Sequence, residues 1–358
     1  MKLDRLKINE YSIDRIKVRE IPFPIVPTLN KDLTLIRKGA QVVYPFVKKF
    51  LNTPNIIESG SLYPTGEIVR IWLKKAGVES KIVISDAIGD DVRINIPMLK
   101  DKDIYDLINF YDGILCNSRE MIGIIERLCP EHPPLYEAYR GVDFSKFNNE
   151  VEPKTPFKNK QFPTFLYLGG FPKVPFYYER DVKGGIYLLE AWKQYELIQK
   201  KGRFIVGGPN SNNKLVQDWR RSLLYPERVE IIGQIDPDDV PGYITGADAV
   251  VIPSLSEGLP NLANESQACG KPVLATDVGG TKESVEHNVS GILFESKSVL
   301  AILQVLVKFA NDGEEAAIKL GENGMKRIRE IFPWQRYRDS ALKCYREAFL
   351  KKGIKIDF

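Results

Sequence analysis

Two glutamates, Glu257 and Glu265, are separated by seven residues within the stretch 249–280, AVVIPSLSEGLPNLANESQACGKPVLATDVGG. The pattern reads strand, loop, helix, strand, loop. The apolar run 249–252 ends at Pro253, the loop carries Glu257 and Gly258, and Asn261 is placed to cap a helix running to about Cys269. The free amides of a helix's first turn, with the positive end of its dipole, suit a phosphate or pyrophosphate. A carboxylate cannot bind phosphate, but it can accept two hydrogen bonds from vicinal hydroxyls. Two carboxylates flanking a phosphate site therefore suit a diphosphate with a sugar on each side, which is a nucleotide sugar. Taken singly, Glu257 also reads as a solvated loop acid and Glu265 as a first-turn acid complementing the dipole. Lys183, before Gly184 and Gly185, reads as a phosphate cation or as a surface lysine at a helix start.

These residues need elements to position them, and the second half of the chain supplies a regular series. Candidate strands at 165–168, 204–206, 229–232, 249–252, 272–275 and 292–294 alternate with helical spacing. They are too apolar for solvent-faced hairpins, so they imply a parallel sheet covered on both faces, with ligands at the carboxyl ends of its strands. The first half has candidate strands at 55–58, 81–84 and 113–116, the last followed by a helix capped by Asn117 or Ser118. Its opening is proline-broken at 21–27, and no glycine precedes Gly39, so the first domain looks abbreviated at its start. A linker reading fits 151–163, VEPKTPFKNKQFP, which mixes three prolines with polar residues. After Phe332-Pro333, Trp334, Leu342, Tyr345 and Phe349 share one helical face, as in a docking helix.

With 358 residues, two domains are expected, and a cleft between them. The 51 Lys and Arg against 47 Asp and Glu leave a net charge of +4, which makes no case for a nucleic-acid partner. Four dispersed cysteines and two histidines make a zinc site improbable, and the cysteines read as inert thiols. Asp236, Asp238 and Asp239 read as a helix cap rather than metal ligands, while Asp90 and Asp91, just after a strand, keep an acceptor-side reading. No run of about 18 apolar residues and no secretory signal is found, so a cytoplasmic location is expected. The stretch 35–51, with four basic and no acidic residues, offers two readings: a core helix interrupted near Gly39 and Pro45, or a peripheral contact with an anionic membrane.

The run Glu257-Gly-Leu-Pro-Asn-Leu-Ala-Asn-Glu265, followed by Ala-Cys-Gly-Lys-Pro-Val, resembles the donor-site signature of the family-four retaining glycosyltransferases, the glycosyl transferases group 1. The resemblance extends over about 165–350 through Tyr167-Leu-Gly-Gly, Val182-Lys-Gly-Gly, Phe204-Ile-Val-Gly-Gly-Pro, Ile231-Ile-Gly-Gln and Ala247-Asp-Ala-Val-Val-Ile-Pro-Ser. Fainter echoes are Tyr111-Asp-Gly-Ile-Leu-Cys-Asn-Ser and Tyr139-Arg-Gly-Val-Asp143. What the resemblance implies is an α/β protein of the GT-B type: two facing Rossmann-like domains with parallel sheets, and a C-terminal helix crossing between them. The expected division is 1–155 for the acceptor-side domain, 156–332 for the nucleotide-sugar donor domain and 333–358 for the helix. Glu265 would hold the donor ribose and Glu257 a hydroxyl of the transferred sugar. The backbone from Gly258 through Leu259, Pro260 and Asn261 to Leu262 would hold the diphosphate, with Lys183 as its cation.

The family usually carries an arginine just after the first glycine of the opening donor-domain strand, where this chain reads Gly169-Gly170. Arg180 or Lys173, in the inserted segment 171–182, is expected to supply that charge, with Arg180 preferred because a guanidinium can bind phosphate bidentately. A Gly-rich loop near the start and a histidine after a central first-domain strand, both common in the family, have no counterpart here. The expected activity is hexosyl transfer from a nucleoside-diphosphate sugar, with retention and without a metal or other cofactor, to an acceptor that is a glycan, lipid, protein or small molecule. The alternatives are a nucleotide-sugar-binding relative without catalysis, or an epimerase or phosphorylase on the same architecture.

Overall fold

In the computed structural model the described residues are 9–13, 16–20, 33–51, 56–78, 81–159, 161–172 and 181–353. Contacts divide the chain into two units, one of Met1–Asn117, Met121–Glu137 and Ser340–Phe358, the other of Ser118–Glu120 and Ala138–Asp339. The proline-rich segment 151–163 lies inside the second unit, as does the division expected at 155/156. The reason is local packing: the Lys154 amide donates to the Gly242 carbonyl (2.8 Å), and a side chain at Gly246 would strike the Lys154 carbonyl.

In the first unit an antiparallel pair, β1 (Asn9–Ile13) and β2 (Ile16–Glu20), stands apart from a parallel sheet. The proline-broken segment 21–27 lies outside the described residues. The sheet lays β3 (Ile56–Ser59), β4 (Ile82–Ala87), β5 (Gly113–Cys116) and β6 (Leu135–Glu137) side by side in chain order. Helices α1 (Leu33–Leu51), α2 (Glu67–Ala76), α3 (Asp101–Ile108) and α4 (Arg119–Leu128) belong with it. The break expected in α1 is absent, and the helix runs through Pro45. Tertiary contacts hold it: Ile36, Ala40 and Leu51 are buried, Trp72 Nε1 donates to the Ala40 carbonyl (2.8 Å), and Arg37 bonds Glu67 (2.7 Å) and Asp103 (2.8 Å).

The second unit carries β7 (Thr164–Tyr167), β8 (Arg203–Gly207), β9 (Val229–Gly233), β10 (Ala249–Ile252), β11 (Val273–Thr276) and β12 (Gly291–Phe294), all parallel, in the order β12-β11-β10-β7-β8-β9. Its helices are α5 (Gly185–Ile198), α6 (Lys214–Arg221), α7 (Val240–Gly246), α8 (Asn261–Ala268), α9 (Thr281–Ser284) and α10 (Val299–Ile331), the last broken at Gly313 (φ +88°). Alternate residues of each strand enter opposite cores. Phe165 and Tyr167 join Trp192, Phe204 and Phe309, while Leu166, Ile205 and Val250 join Ile328 and Phe332. Period-two alternation with apolar residues on both faces is what produces the continuous apolar strands. The last helix, α11 (Trp334–Lys351), begins in the second unit and continues into the first. Its buried face is Ala341, Cys344, Ala348 and Phe349 rather than the one through Trp334, which is 47% exposed, because small residues let the helix lie close.

The order of the second sheet reverses between β7 and β10, which is the topological switch point where doubly wound sheets open a crevice. There the loop before α5 presses on the exit of β10. Gly184 takes a left-handed conformation (φ +66°), a Cβ on it would lie 1.8 Å from the Pro253 carbonyl oxygen, and the Leu255 amide donates to the Val182 carbonyl (2.8 Å). Gly184→Ala therefore combines backbone strain with a backbone clash. It is expected to lower stability by about 2 kcal/mol or more, read as a drop in the urea midpoint; an unchanged midpoint contradicts this packing.

Candidate functional site

A cavity of about 310 Å³ opens at the carboxyl ends of β7 and β10, lined by Tyr167, Leu168, Gly169, Lys183, residues 251–254, Glu257 and residues 259–262. Within it Lys183 Nζ lies 2.7 Å from Glu257 Oε1, and Ser254 Oγ donates to the same oxygen at 2.6 Å. Ser254 is itself fixed, since its carbonyl accepts the Thr276 hydroxyl (2.6 Å). The ammonium is about half exposed and the carboxylate 11% exposed, so the pair adds little to stability and serves chiefly to hold the two charges in register.

Two helices begin at this switch point, and they differ. At α5 the carboxylate of Asp181, 1% exposed, accepts the Ile186 amide (2.6 Å), and the Asp181 carbonyl accepts the Gly184 amide (2.8 Å). That helix end is filled by the chain's own anion, and burial raises the Asp181 pKa. At α8 the N-cap is Pro260, which has no side chain to offer the first turn, and Asn261 is an exposed first helical residue rather than the expected cap. The loop before it is tied from behind by the Gly280 amide, which donates to the Gly258 carbonyl (2.7 Å). The α8 end has no side-chain acceptor on its first turn.

Residues 153–327 match the family described as Glycosyl transferases group 1. They are a group 1 glycosyl transferase domain. Relatives include the uncharacterized glycosyltransferase MJ1178 of Methanocaldococcus jannaschii, 34% identical over 119 residues, which are 33% of each chain. The D-inositol 3-phosphate glycosyltransferase of Salinispora tropica is 34% identical over 148 residues, 40% of this chain and 30% of that one. The chain thus spans about a third of the length of the curated relatives it matches. Among solved structures, sucrose-phosphate synthase from Thermosynechococcus elongatus superposes with a TM-score of 0.73 at 18% identity, over 96% of this chain and 86% of that one. Anabaena Alr3699/HepE in complex with UDP-glucose gives 0.66 at 16%, over 88% and 84%. With its two parallel-sheet, Rossmann-like units, the chain has the GT-B type of fold.

In the transferase domain the cavity gathers Lys183, Glu257, Gly169, Leu259, Pro260, Asn261 and Leu262 from the expected set. Glu265, one turn along α8 from Asn261, is half-buried and does not line the cavity. Its carboxyl pKa is raised by burial, against a smaller opposing pull from Lys146. Gly170 does not line the cavity. Its amide donates to the Gly207 carbonyl (3.2 Å), its carbonyl accepts the Tyr167 hydroxyl (2.7 Å), and its φ of +69° explains the glycine. Arg180 and Lys173 lie outside the described residues. A larger cavity, about 360 Å³, opens at the amino ends of the same strands beneath 153–159 and shares no residue with the switch point.

Sequence reasoning missed Asp181 and Ser254. The signal for the first is an aspartate just before a glycine pair that opens a helix; for the second it is only nearness to Glu257. Asp239 stands at the N-cap of α7 without a side-chain cap bond and pairs with Lys154 (2.9 Å), Asp238 pairs with Lys146 (2.6 Å), and the Asp236 carboxylate accepts the Asp238 amide (2.9 Å). Among the described residues there is no group of three or more His, Cys, Asp or Glu side chains able to hold a metal, and no helix long and apolar enough to cross a membrane. Within the second unit the amides of Arg119 (2.9 Å) and Glu120 (3.1 Å) and the Tyr139 hydroxyl (2.6 Å) donate to the Glu283 carboxylate. Asp91 is 5% exposed, and its carboxylate is turned into backbone amides.

Proposed function

We propose that this chain transfers a hexosyl group from a nucleoside-diphosphate sugar, with retention and without a metal, to a hydroxyl-bearing acceptor bound at the first unit. The observation that carries the proposal is the meeting of Lys183, Glu257 and the uncapped first turn of α8 in one cavity at the switch point. As the glycosidic C–O bond breaks, negative charge gathers on the departing diphosphate. A fixed ammonium and helix-end amides stabilise that charge more strongly than they stabilise the bound donor, which is the requirement for catalysis. In this reading Glu257, its carboxylate held by Ser254, accepts from a hydroxyl of the transferred sugar, and Glu265 from the ribose. HepE, crystallised with UDP-glucose, and relatives named as D-inositol 3-phosphate glycosyltransferases support a nucleotide-sugar donor and a hydroxyl acceptor.

Contact of residues 35–51 with an anionic membrane is a separate proposal. It is supported by Lys38 and Lys48, which stay exposed, and is narrowed by Arg37, which is committed to Glu67 and Asp103.

A screen of nucleotide sugars for binding and for transfer or donor hydrolysis tests the central reading; binding without turnover indicates a non-catalytic relative. With the preferred donor, Lys183→Met is expected to lower turnover about 10²- to 10³-fold, and full activity in that variant removes the lysine from the mechanism. Burial raises the Glu265 carboxyl pKa and hydroxyls donate to its ionised form, so donor binding favours that form. Affinity should therefore fall as pH drops from 7.5 toward 5, a dependence lost in Glu265→Gln; an identical pH profile in the variant contradicts the ribose assignment. In liposome co-sedimentation, binding should require anionic lipid and weaken in Lys38→Glu/Lys48→Glu; the membrane proposal fails if the protein stays in the supernatant.

A further inference from the structure

At the carboxyl ends of the first unit's parallel strands, the loops after β3, β4 and β5 are joined by two buried side chains. Asp91 opens a π-helical turn, Asp91–Asn95, and its two carboxylate oxygens serve different loops. Oδ1 accepts the amides of Ile88 (3.3 Å) and Gly89 (3.0 Å) in its own loop, while Oδ2 accepts the amide of Leu62 (3.0 Å) in the loop after β3. Asn117, at the end of β5, adds a second tie: its Nδ2 donates to the Ile88 carbonyl (3.0 Å) and its amide to the Ala87 carbonyl (3.0 Å). Ile88 is thus held at its amide by Asp91 and at its carbonyl by Asn117.

A carboxylate is an unusual partner to bury here when a backbone carbonyl or a serine could have served one loop. Burial pushes its pKa up to about 6 despite the amides that lower it. What it offers is two acceptors in a fixed fork, so one side chain can bind two loops at once. In open parallel sheets these carboxyl-end loops are where ligands bind. We infer that Asp91 is a positioning residue for the acceptor substrate, pinning the loop after β3 to the loop after β4 through its bond to the Leu62 amide. The inference rests on the proposed function for its link to an acceptor, while the pin itself is independent of it.

Asp91→Asn separates the two jobs. Its remaining carbonyl oxygen can keep the Ile88 and Gly89 amides, leaving an NH₂ opposed to the Leu62 amide, so the bond between loops breaks and the one within a loop survives. Hydrogen exchange at pH 8, where the wild-type carboxylate is ionised, is expected to quicken about tenfold or more at Leu62 and stay unchanged at Gly89. In Asp91→Ala both amides should exchange faster. In transfer assays Asp91→Asn should raise the acceptor KM about tenfold with UDP affinity unchanged. Unchanged exchange at Leu62, or a loss of UDP affinity that parallels the loss of transfer, overturns the inference. If the variants do not fold, the wild type still decides the pin: its Leu62 amide must exchange far more slowly than that of exposed Gly60, and equal rates overturn it. If no nucleotide sugar supports transfer, the proposed function fails and exchange at Leu62 alone judges the pin.

Discussion

The carbonyl of Pro253 occupies the space that a side chain at residue 184 would need, and the rest of the second unit's cavity follows from that contact. Because Gly184 can turn left-handed without a Cβ, the end of the β7–α5 loop lies directly on the exit of β10. The bond from Leu255 to Val182 then brings Lys183 over the loop that carries Glu257. A lysine and a glutamate 74 positions apart in the chain become a fixed pair without either being deeply buried. The crevice of a doubly wound sheet gives room for a ligand, and this contact decides which charges face into it.

The two helix ends at the crevice divide their work by electrostatics. Each presents a cluster of amides with a partial positive charge, and each must be satisfied by something. Asp181 satisfies α5 internally, which orders the loop bearing Lys183. Pro260 leaves α8 without a side-chain cap, so its amides can answer to a ligand. A chain with both ends filled would have a rigid but inert crevice; one with both ends open would have a mobile lysine loop.

The first unit uses buried polar groups differently. Ser59, Ser85 and Tyr111 form a hydroxyl cluster beneath the sheet edge, and Glu67 gathers Arg70 and Arg37 at the start of α2. With the fork of Asp91, these make a set of loops held by directional bonds rather than apolar packing. Directional bonds fix loop geometry more narrowly than side-chain packing does, at the cost that removing one partner strands the other.

Much of the donor half was legible as a sequence because the determinants were local. Continuous apolar strands announce burial on both faces, and their alternation with helical spacing implies a parallel sheet. The spacing of Glu257 and Glu265 brackets the start of α8, and the cavity at the switch point holds the first of them. Only the tertiary structure decided the rest, since each remaining feature depends on residues that meet after folding. It turned Gly170 from the cavity to backbone packing and placed Pro260 rather than Asn261 at the cap. It let α1 run through Pro45, because Ala40 and Arg37 found distant partners. It also brought the amide of Leu62, 29 positions away in the chain, to the Asp91 carboxylate. Local preference sets which elements form, whereas a buried carboxylate or a lone glycine acquires its role from whatever backbone the fold brings against it.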